Sequence, residues 1–382
     1  MNSNDMTLQL FHLISLFILL FYILLLLYYW YYWNKPEPDR NFEFIDKPFV
    51  SVIIIGRNEE DNIQKCINSI ANNNYPDSLF EIIYIDDYST DKSLEILRDI
   101  KYKNFSFYEL KNYLDNEDIN NYKKKAIEIA ISKAQGDIIL QTDADTFAGE
   151  NWILSHAMKY SEDKIKFVTA PVFYKSGNSS LQQFQKYELL TTMGVTCAGI
   201  KSGLHYMANG ANMSYRKGVY SSSASDFASG DDMFLVQAIA KKYPDSISFL
   251  KNTEAIVYTF PEKTLSGFIR QRLRWATKTK GYDSLAMKSV IALVFLMNFI
   301  ILSNIFLILF LDYRQIYFTL FLLISKLIID ILFIKSVAGF FKEKINYLNL
   351  VISLLRYPFY IVFIGVLSLF VSKYKWKSRV VR

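Results

Sequence analysis

Cysteine and histidine are scarce: the 382-residue chain holds two of the first and three of the second. Cys66 and Cys197 lie far apart in a segment expected to face the cytoplasm, where disulfides are rare. They read as buried small hydrophobes, and a disulfide-stapled scaffold is excluded. His12, His156 and His205 show no zinc-ligand spacing, and His12 falls within an apolar run, so a zinc site is excluded as well. Internal repeats and low-complexity tracts are missing, as is any RNA- or DNA-binding motif to accompany the net charge of +6. The excess Lys and Arg sit beside apolar segments, which points to anionic membrane lipids as partners and not to nucleic acid.

Charge is absent altogether between Asp5 and Lys35. A bilayer core takes about 20 apolar residues in a helix, and Leu8 to Trp33 supplies them, ending in the aromatic block Tyr28 to Trp33 that suits a membrane interface. A cleaved signal peptide needs a basic start, a shorter apolar core and a small-residue cleavage site; none is present, so the segment reads as an anchor. With 51% hydrophobic and 16% aromatic residues, the chain reads as one soluble domain between membrane segments. Beyond residue 288, Ser289 to Leu311 carries no charge, and apolar stretches follow near 315–335 and 345–372. Lys326 and Asp330, spaced i, i+4, are expected to pair on one helix face turned to the protein interior. Arg356 and Pro358 interrupt the last stretch, which is expected to be kinked, re-entrant or interfacial and not to cross.

Orientation follows from the cations at the membrane ends. Lys35 and Arg40 follow the first helix, and Arg270, Arg272, Arg274, Lys278, Lys280 and Lys288 precede the second, placing residues 35–288 in the cytoplasm. If every C-terminal stretch crosses, the basic tail Lys373, Lys375, Lys377, Arg379 and Arg382 lands outside, against the same rule.

Between the membrane segments short apolar runs alternate with helical periodicity. Strands are expected at Phe49–Ile55, Phe80–Ile85, Phe105–Tyr108 and Asp137–Gln141, and helices at Glu60–Asn72, Asp91–Ile100 and Lys124–Ala134. Such alternation predicts an α/β domain with a mainly parallel sheet, whose ligands bind beyond the carboxyl ends of the strands. Polar groups lie at those ends: Arg57, Asn58 and Glu59; Asp86, Asp87, Ser89 and Asp91; and Thr142-Asp-Ala-Asp-Thr146. Singly they are ordinary caps and turn formers, but together they point to a shared site. Asp143 and Asp145 suit Mg²⁺ or Mn²⁺ bound jointly with a substrate diphosphate. Asp231 and Asp232, within Ser229-Gly-Asp-Asp-Met-Phe-Leu235, read either as a helix N-terminus or as a general base. Gln271-Arg-Leu-Arg-Trp275 lies on an amphipathic segment whose apolar residues recur at helical spacing, which also suits a membrane interface.

In this order the motifs resemble the membrane-bound family 2 glycosyltransferases of GT-A fold, related to the cellulose, hyaluronan and poly-N-acetylglucosamine synthases. The resemblance covers roughly residues 49–282. It rests on Ser51-Val-Ile-Ile-Ile-Gly-Arg-Asn-Glu-Glu60, with Ile55 at the usual proline, and on Asp86-Asp-Tyr-Ser-Thr-Asp91, with Tyr88 where glycine is common. Tyr122-Lys-Lys-Lys-Ala126, Asn209-Gly-Ala-Asn212 and Gln271 to Trp275 complete it. It implies that Asp86 or Asp87 holds the base or ribose of a nucleotide sugar, with Arg57, Glu59 and Lys124 in the same binding set. It further implies that Asp143 and Asp145 hold ribose and metal, that Asp232 is the base with Asp231 beside it, and that Gln271, Arg274, Trp275 and Asn212 serve the diphosphate and the acceptor.

The domains implied are an anchor (1–34), a GT-A domain (35–262), an interfacial helix (263–288), membrane segments (289–372) and a basic tail (373–382). The expected protein is a multi-pass cell-membrane enzyme with a cytoplasmic catalytic domain. It is an inverting glycosyltransferase moving a sugar from a nucleotide-diphosphate donor to a lipid-linked or polysaccharide acceptor. A processive polysaccharide synthase and a non-catalytic nucleotide-sugar-binding subunit are the alternatives. A transporter falls behind for want of a broken-helix inverted repeat.

Overall fold

The computed structural model of the protein describes residues 3–36, 47–114, 121–175, 177–220, 231–310, 315–371, 374–376 and 379–381. The chain opens with α1 (Ser3–Asn34). Next, β1 (Val50–Gly56), α2 (Ile63–Ala71), β2 (Phe80–Asp86), α3 (Ser93–Asp99) and β3 (Phe105–Glu109) alternate. α4 (Tyr122–Lys133) leads into β4 (Ile138–Asp143) and the short β5 (Phe147–Ala148). α5 (Trp152–Lys159), β6 (Phe167–Thr169), β7 (Val172–Tyr174) and the long α6 (Ser180–Ser202) follow. Then come β8 (Met213–Arg216), α7 (Asp231–Lys242), β9 (Ile247–Phe249) and β10 (Val257–Thr259). α8 (Leu265–Thr277), α9 (Leu285–Phe310), α10 (Ile316–Phe340) and α11 (Tyr347–Phe370) close the series, before a short antiparallel pair formed by β11 (Tyr374–Trp376) and β12 (Arg379–Val381).

Two compact units share this chain. One gathers Met1–Lys35, Asn178–His205 and Glu262–Ser372; the other gathers Pro36–Gly177, Tyr206–Pro261 and Lys373–Arg382. α6 therefore groups with the apolar helices, although β-strands flank it in sequence.

In the α/β unit the strands expected from the pattern form one half of a seven-stranded sheet of order β3-β2-β1-β4-β8-β6-β9. β1 pairs parallel with both β2 and β4, and β8 runs antiparallel to β4 and β6. β1 is buried along its whole length, as a run rich in Val and Ile must be when both faces of a parallel sheet are covered. Each Ile so buried contributes roughly 1.5–3 kcal/mol. Register brings the carboxyl ends level: Ile55 lies opposite both Ile85 and Asp143, and Gly56 lies opposite Asp86. Gly56 is obligatory, because a Cβ there would sit 1.8 Å from the Tyr84 hydroxyl. α2 starts at Ile63 rather than Glu60, since the Glu59 and Glu60 amides donate instead to Ser93 Oγ (2.9 Å) and Asp91 Oδ2 (3.2 Å).

In the other unit four helices are long and apolar enough to cross a membrane: Met6–Asn34, Leu285–Ile308, Ile316–Phe340 and Tyr347–Phe370. The last corrects one part of an expectation, for it is not re-entrant. α11 is one continuous helix with Pro358 inside it, and the missing proline N–H deprives the Leu354 carbonyl of its helical donor without breaking the element. Its charge is met locally, for Arg356 Nη1 donates to Ser180 Oγ at 2.5 Å. Lys326 and Asp330 form the expected buried pair, and Tyr22 Oη donates to the second Asp330 oxygen at 2.7 Å. α6 has no counterpart among the expected elements. A capping box of Ser179 with Gln182 begins it, and Gly203 at φ 71° ends it. Gly194 lets it approach α10, where a Cβ would meet Val337 at 2.6 Å and Phe333 at 2.7 Å.

Candidate active site

Three loops at the carboxyl ends of β1, β2 and β4 converge in the α/β unit. Arg57 follows β1, is 8% exposed, and donates through Nη1 to the Asp87 carbonyl at 3.1 Å. Asn58 adopts φ 52°; its amide donates to Ser89 Oγ at 2.9 Å while its Oδ1 accepts from the Thr90 amide at 2.8 Å. The first two loops are thereby stitched together. Glu59 turns its carboxylate to Asn62 Nδ2 at 2.9 Å. Asp91 is not the N-cap of α3, which is Lys92; from one residue earlier its Oδ1 accepts from the Ser93 amide at 3.0 Å.

Asp86 and Asp87 are both buried. Asp86 Oδ2 accepts from the Ser89 amide at 3.0 Å, whereas its Oδ1 is buried and accepts no hydrogen bond from the protein. Burial raises the Asp86 carboxyl above its usual range. Tyr88 occupies the left-handed region at φ 56°, so the tyrosine keeps the conformation that glycine adopts more easily, and its ring meets Tyr122 edge-on at 5.6 Å.

At the end of β4, Asp143 Oδ1 accepts from Lys123 Nζ at 3.2 Å, with its carboxylate 36% exposed. Lys123 is the neighbour of Lys124 on α4. It lies i−3 and i−4 from Ala126 and Ile127, on the face of α4 that packs inward, whereas Lys125 points outward to Glu128. The loop bearing Asp145 is pinned through its backbone: Thr146 Oγ1 donates to the Asp143 carbonyl (2.6 Å) and Thr259 Oγ1 to the Asp145 carbonyl (3.3 Å). Both carboxylates are partly exposed.

Asp232, at the first turn of α7, joins this edge through Gly210. Its Oδ2 accepts from the Gly210 amide at 3.0 Å, and its Oδ1 accepts from the Met233 amide at 2.9 Å. A Cβ at Gly210 would also lie 3.7 Å from Gln141 Nε2, which places Asp232 beside the strand that carries Asp143. The Asp231 side chain lies outside the described residues.

Asn212 corrects the expectation drawn for it. It is 0% exposed, and its amide is fully engaged. Oδ1 accepts from Trp152 Nε1 (2.9 Å) and His156 Nε2 (3.0 Å), while Nδ2 donates to the carbonyls of Pro171 (2.7 Å) and Ala255 (2.8 Å). Nothing remains to offer an acceptor. Since Asn212 Oδ1 only accepts, His156 carries its proton on Nε2, and Nδ1 accepts from Ser214 Oγ at 2.8 Å. Burial holds this imidazole down to about 4, so it is neutral.

Gln271, Arg274 and Trp275 belong to the unit of long apolar helices, on α8, whose N-cap Thr264 Oγ1 accepts from the Gly267 amide at 3.1 Å. Trp275 is 39% exposed. Arg272, which the motif spacing skips, is the buried member of the group, stacked between Phe268 and Trp275 and paired with Glu188 of α6.

Residues 138–370 match the model of glycosyl transferase family group 2, and residues 51–222 match that of glycosyl transferase family 2. The chain belongs to glycosyl transferase family group 2. Glycosyltransferase AglE of Haloferax volcanii is 28% identical over 142 residues, 37% of this chain and 45% of the relative. Poly-beta-1,6-N-acetyl-D-glucosamine synthase of Staphylococcus epidermidis is 25% identical over 232 residues, 59% of this chain and 53% of the relative. The chain thus spans about half the length of these curated relatives. Among solved structures, the mannosyltransferase PcManGT from Pyrobaculum calidifontis, in complex with GDP-Man and Mn²⁺, superposes with a TM-score of 0.57 at 15% identity, covering 94% of this chain and 99% of that one. The α/β unit therefore has the GT-A fold, as its motif order implies.

Proposed function

We propose that this glycosyltransferase inverts the anomeric configuration as it moves a sugar from a nucleotide-diphosphate donor to a lipid-linked or glycan acceptor at the cytoplasmic face of the cell membrane. The observation that carries this reading is the register of β1, β2 and β4, which lines up Arg57, Asp86 and Asp143 on one edge, with Asp232 fastened beside them. Asp86 Oδ1 is a buried acceptor in want of a donor, and an N–H of a nucleobase or a ribose hydroxyl would supply it.

The donor set suits a divalent cation. Asp143 and Asp145 present oxygen ligands only, and among the described residues no three His, Cys, Asp or Glu side chains converge to hold an ion by themselves. That fits Mg²⁺ or Mn²⁺ shared with the diphosphate, and the solved mannosyltransferase is itself a complex with GDP-Man and Mn²⁺. The bound cation would screen the charge that develops on the leaving nucleoside diphosphate. Lys123, already paired with Asp143, adds positive charge at the same place.

Asp232 is suited to general-base work. A backbone amide donates to each of its oxygens, which fixes the carboxylate toward which an acceptor hydroxyl would turn. That hydroxyl gives its proton to Asp232 as its oxygen bonds to the anomeric carbon, and the sugar–phosphate bond breaks on the opposite side. One such displacement inverts the centre.

The test is release of nucleoside diphosphate by purified protein from a panel of UDP- and GDP-sugars, with and without a chelator. Release from none of them refutes the reading. Thiol labelling of intact cells at an engineered cysteine in the α/β unit should fail, and labelling without permeabilisation would overturn the cytoplasmic face. Four crossing helices would set the basic tail on the opposite side from the segment between the first two of them, so the same labelling at Lys375 decides whether all four cross.

A further inference from the structure

Arg272 and Glu188 form a closed polar group in the unit of long apolar helices. Arg272 is 3% exposed, and its Nε lies 3.0 and 2.9 Å from the two Glu188 oxygens, with Nη2 at 2.5 Å from Oε2. Tyr360 Oη of α11 donates to Glu188 Oε1 at 2.5 Å. The guanidinium lies over Phe268 at 4.6 Å and over Trp275 at 4.3 Å, which are its i−4 and i+3 neighbours on α8. Its remaining nitrogen, Nη1, donates to Gln271 Oε1.

Burying an ion pair seldom stabilises a fold more than apolar residues of equal volume, so stability alone gives no reason for it. Its effect on its neighbours is specific. With Oε1 engaged, Gln271 can present only its amide N–H groups outward, and is a donor. Trp275 has one face covered by the guanidinium and is still 39% exposed, so it presents the other. Gln271 and Trp275 are spaced i, i+4 and share a helix face. A hydrogen-bond donor one turn from an exposed indole face is suited to a sugar ring, whose hydroxyl oxygens accept and whose C–H face stacks.

We infer that Arg272 and Glu188 are positioning residues which fix the amide orientation of Gln271 and the ring plane of Trp275 for the acceptor sugar. The inference rests on the glycosyltransferase reading. Arg272→Lys keeps the charge but loses the planar fork and the stacking face, and Glu188→Gln keeps the shape but loses the ion pair.

Full-length protein in the sugar-free detergent lauryldimethylamine oxide is given radiolabelled donor with octyl β-glucoside as the acceptor probe. Label transferred and label released as free sugar are both counted, and Trp275 oxidation by N-bromosuccinimide is measured by peptide mass spectrometry. Both variants should lower transfer relative to donor hydrolysis by on the order of 10- to 100-fold, the loss typical of a misplaced contact. At a temperature where both variants remain folded, since breaking a buried pair lowers the melting temperature, KM for donor should be unchanged and Trp275 should oxidise faster than in the wild type. Transfer and hydrolysis falling together there would show a merely structural pair, and unchanged Trp275 oxidation would also overturn the inference. A wild type that hydrolyses donor without labelling octyl β-glucoside overturns the acceptor role but leaves the donor reading standing. A wild type that consumes no donor sinks that reading, while Trp275 oxidation still judges the geometry.

Discussion

Replacing Asn212 with alanine separates a residue that touches the acceptor from one that holds the fold. The side chain joins α5 to the start of β8 and to two carbonyls outside both, and all of its partners are in the interior. Asn212→Ala strands the Trp152 indole N–H, the His156 Nε2–H and the Ala255 carbonyl, whereas the Pro171 carbonyl keeps the Val257 amide at 3.1 Å. Each buried group left unpaired costs about 1–3 kcal/mol. A water entering the small cavity would recover part, so a loss of about 4 kcal/mol or more is expected, against a total stability of roughly 5–15 kcal/mol. For a domain of 150–250 residues that lowers the melting temperature by roughly 8–16 °C. The assay is thermal unfolding of the purified protein in detergent, followed by intrinsic fluorescence, alongside sugar transfer at a temperature where the variant remains folded. Transfer should then be close to normal per folded molecule. A variant that melts within about 2 °C of the wild type and has nevertheless lost transfer would refute the reasoning and return Asn212 to the acceptor site.

Asp232→Asn should lower transfer by about 10²–10⁴-fold, the usual worth of a general base, and cost only about 1 kcal/mol of stability for the amide that then faces an N–H donor; near-normal turnover would remove Asp232 from the chemistry. Asp145→Ala should weaken donor binding by titration calorimetry in Mg²⁺ or Mn²⁺ and should leave binding in EDTA no worse than that of chelated wild type, while full wild-type activity in EDTA would refute the metal. His156 titrates at 6.5 when unfolded and at about 4 when folded, so below 6.5 the unfolded state takes up protons that the folded state refuses. Its contribution, on the order of 3 kcal/mol, is fully present above pH 6.5 and lost as pH falls toward 4; His156→Gln should flatten that part of the stability curve, and an unchanged curve would exclude the histidine as its source.

Local pattern was enough to place the parallel half of the sheet and the apolar helices. Alternation of Val and Ile with helical periodicity depends on neighbours along the chain, so β1 through β4 appear within a few residues of where the sequence puts them. The strand ends follow, because a parallel arrangement brings Arg57, Asp86 and Asp143 to one edge whatever lies beyond it. α11 shows the limit of local rules: Pro358 and Arg356 argue for a break, but one absent N–H is tolerated in a long apolar helix, and Ser180 of α6 accepts from the charge.

Which side chains meet was settled by contacts between distant parts of the chain. Asn212 stands in a motif that suggests an acceptor site, yet its partners Trp152, His156, Pro171 and Ala255 come from separate segments and close over it completely. Lys123 reaches Asp143 because it lies on the face of α4 that packs inward. The small and polar residues of α6 gave no periodic signal of membrane association, and contacts with distant helices, such as Gly194 against Phe333 and Val337 and Glu188 against Arg272, assign that helix to the apolar unit. Arg272 and Arg274 differ by two positions in one motif. Glu188, 84 residues earlier in the sequence, makes the first a buried anchor, a pairing that spacing along the chain has no means of recording.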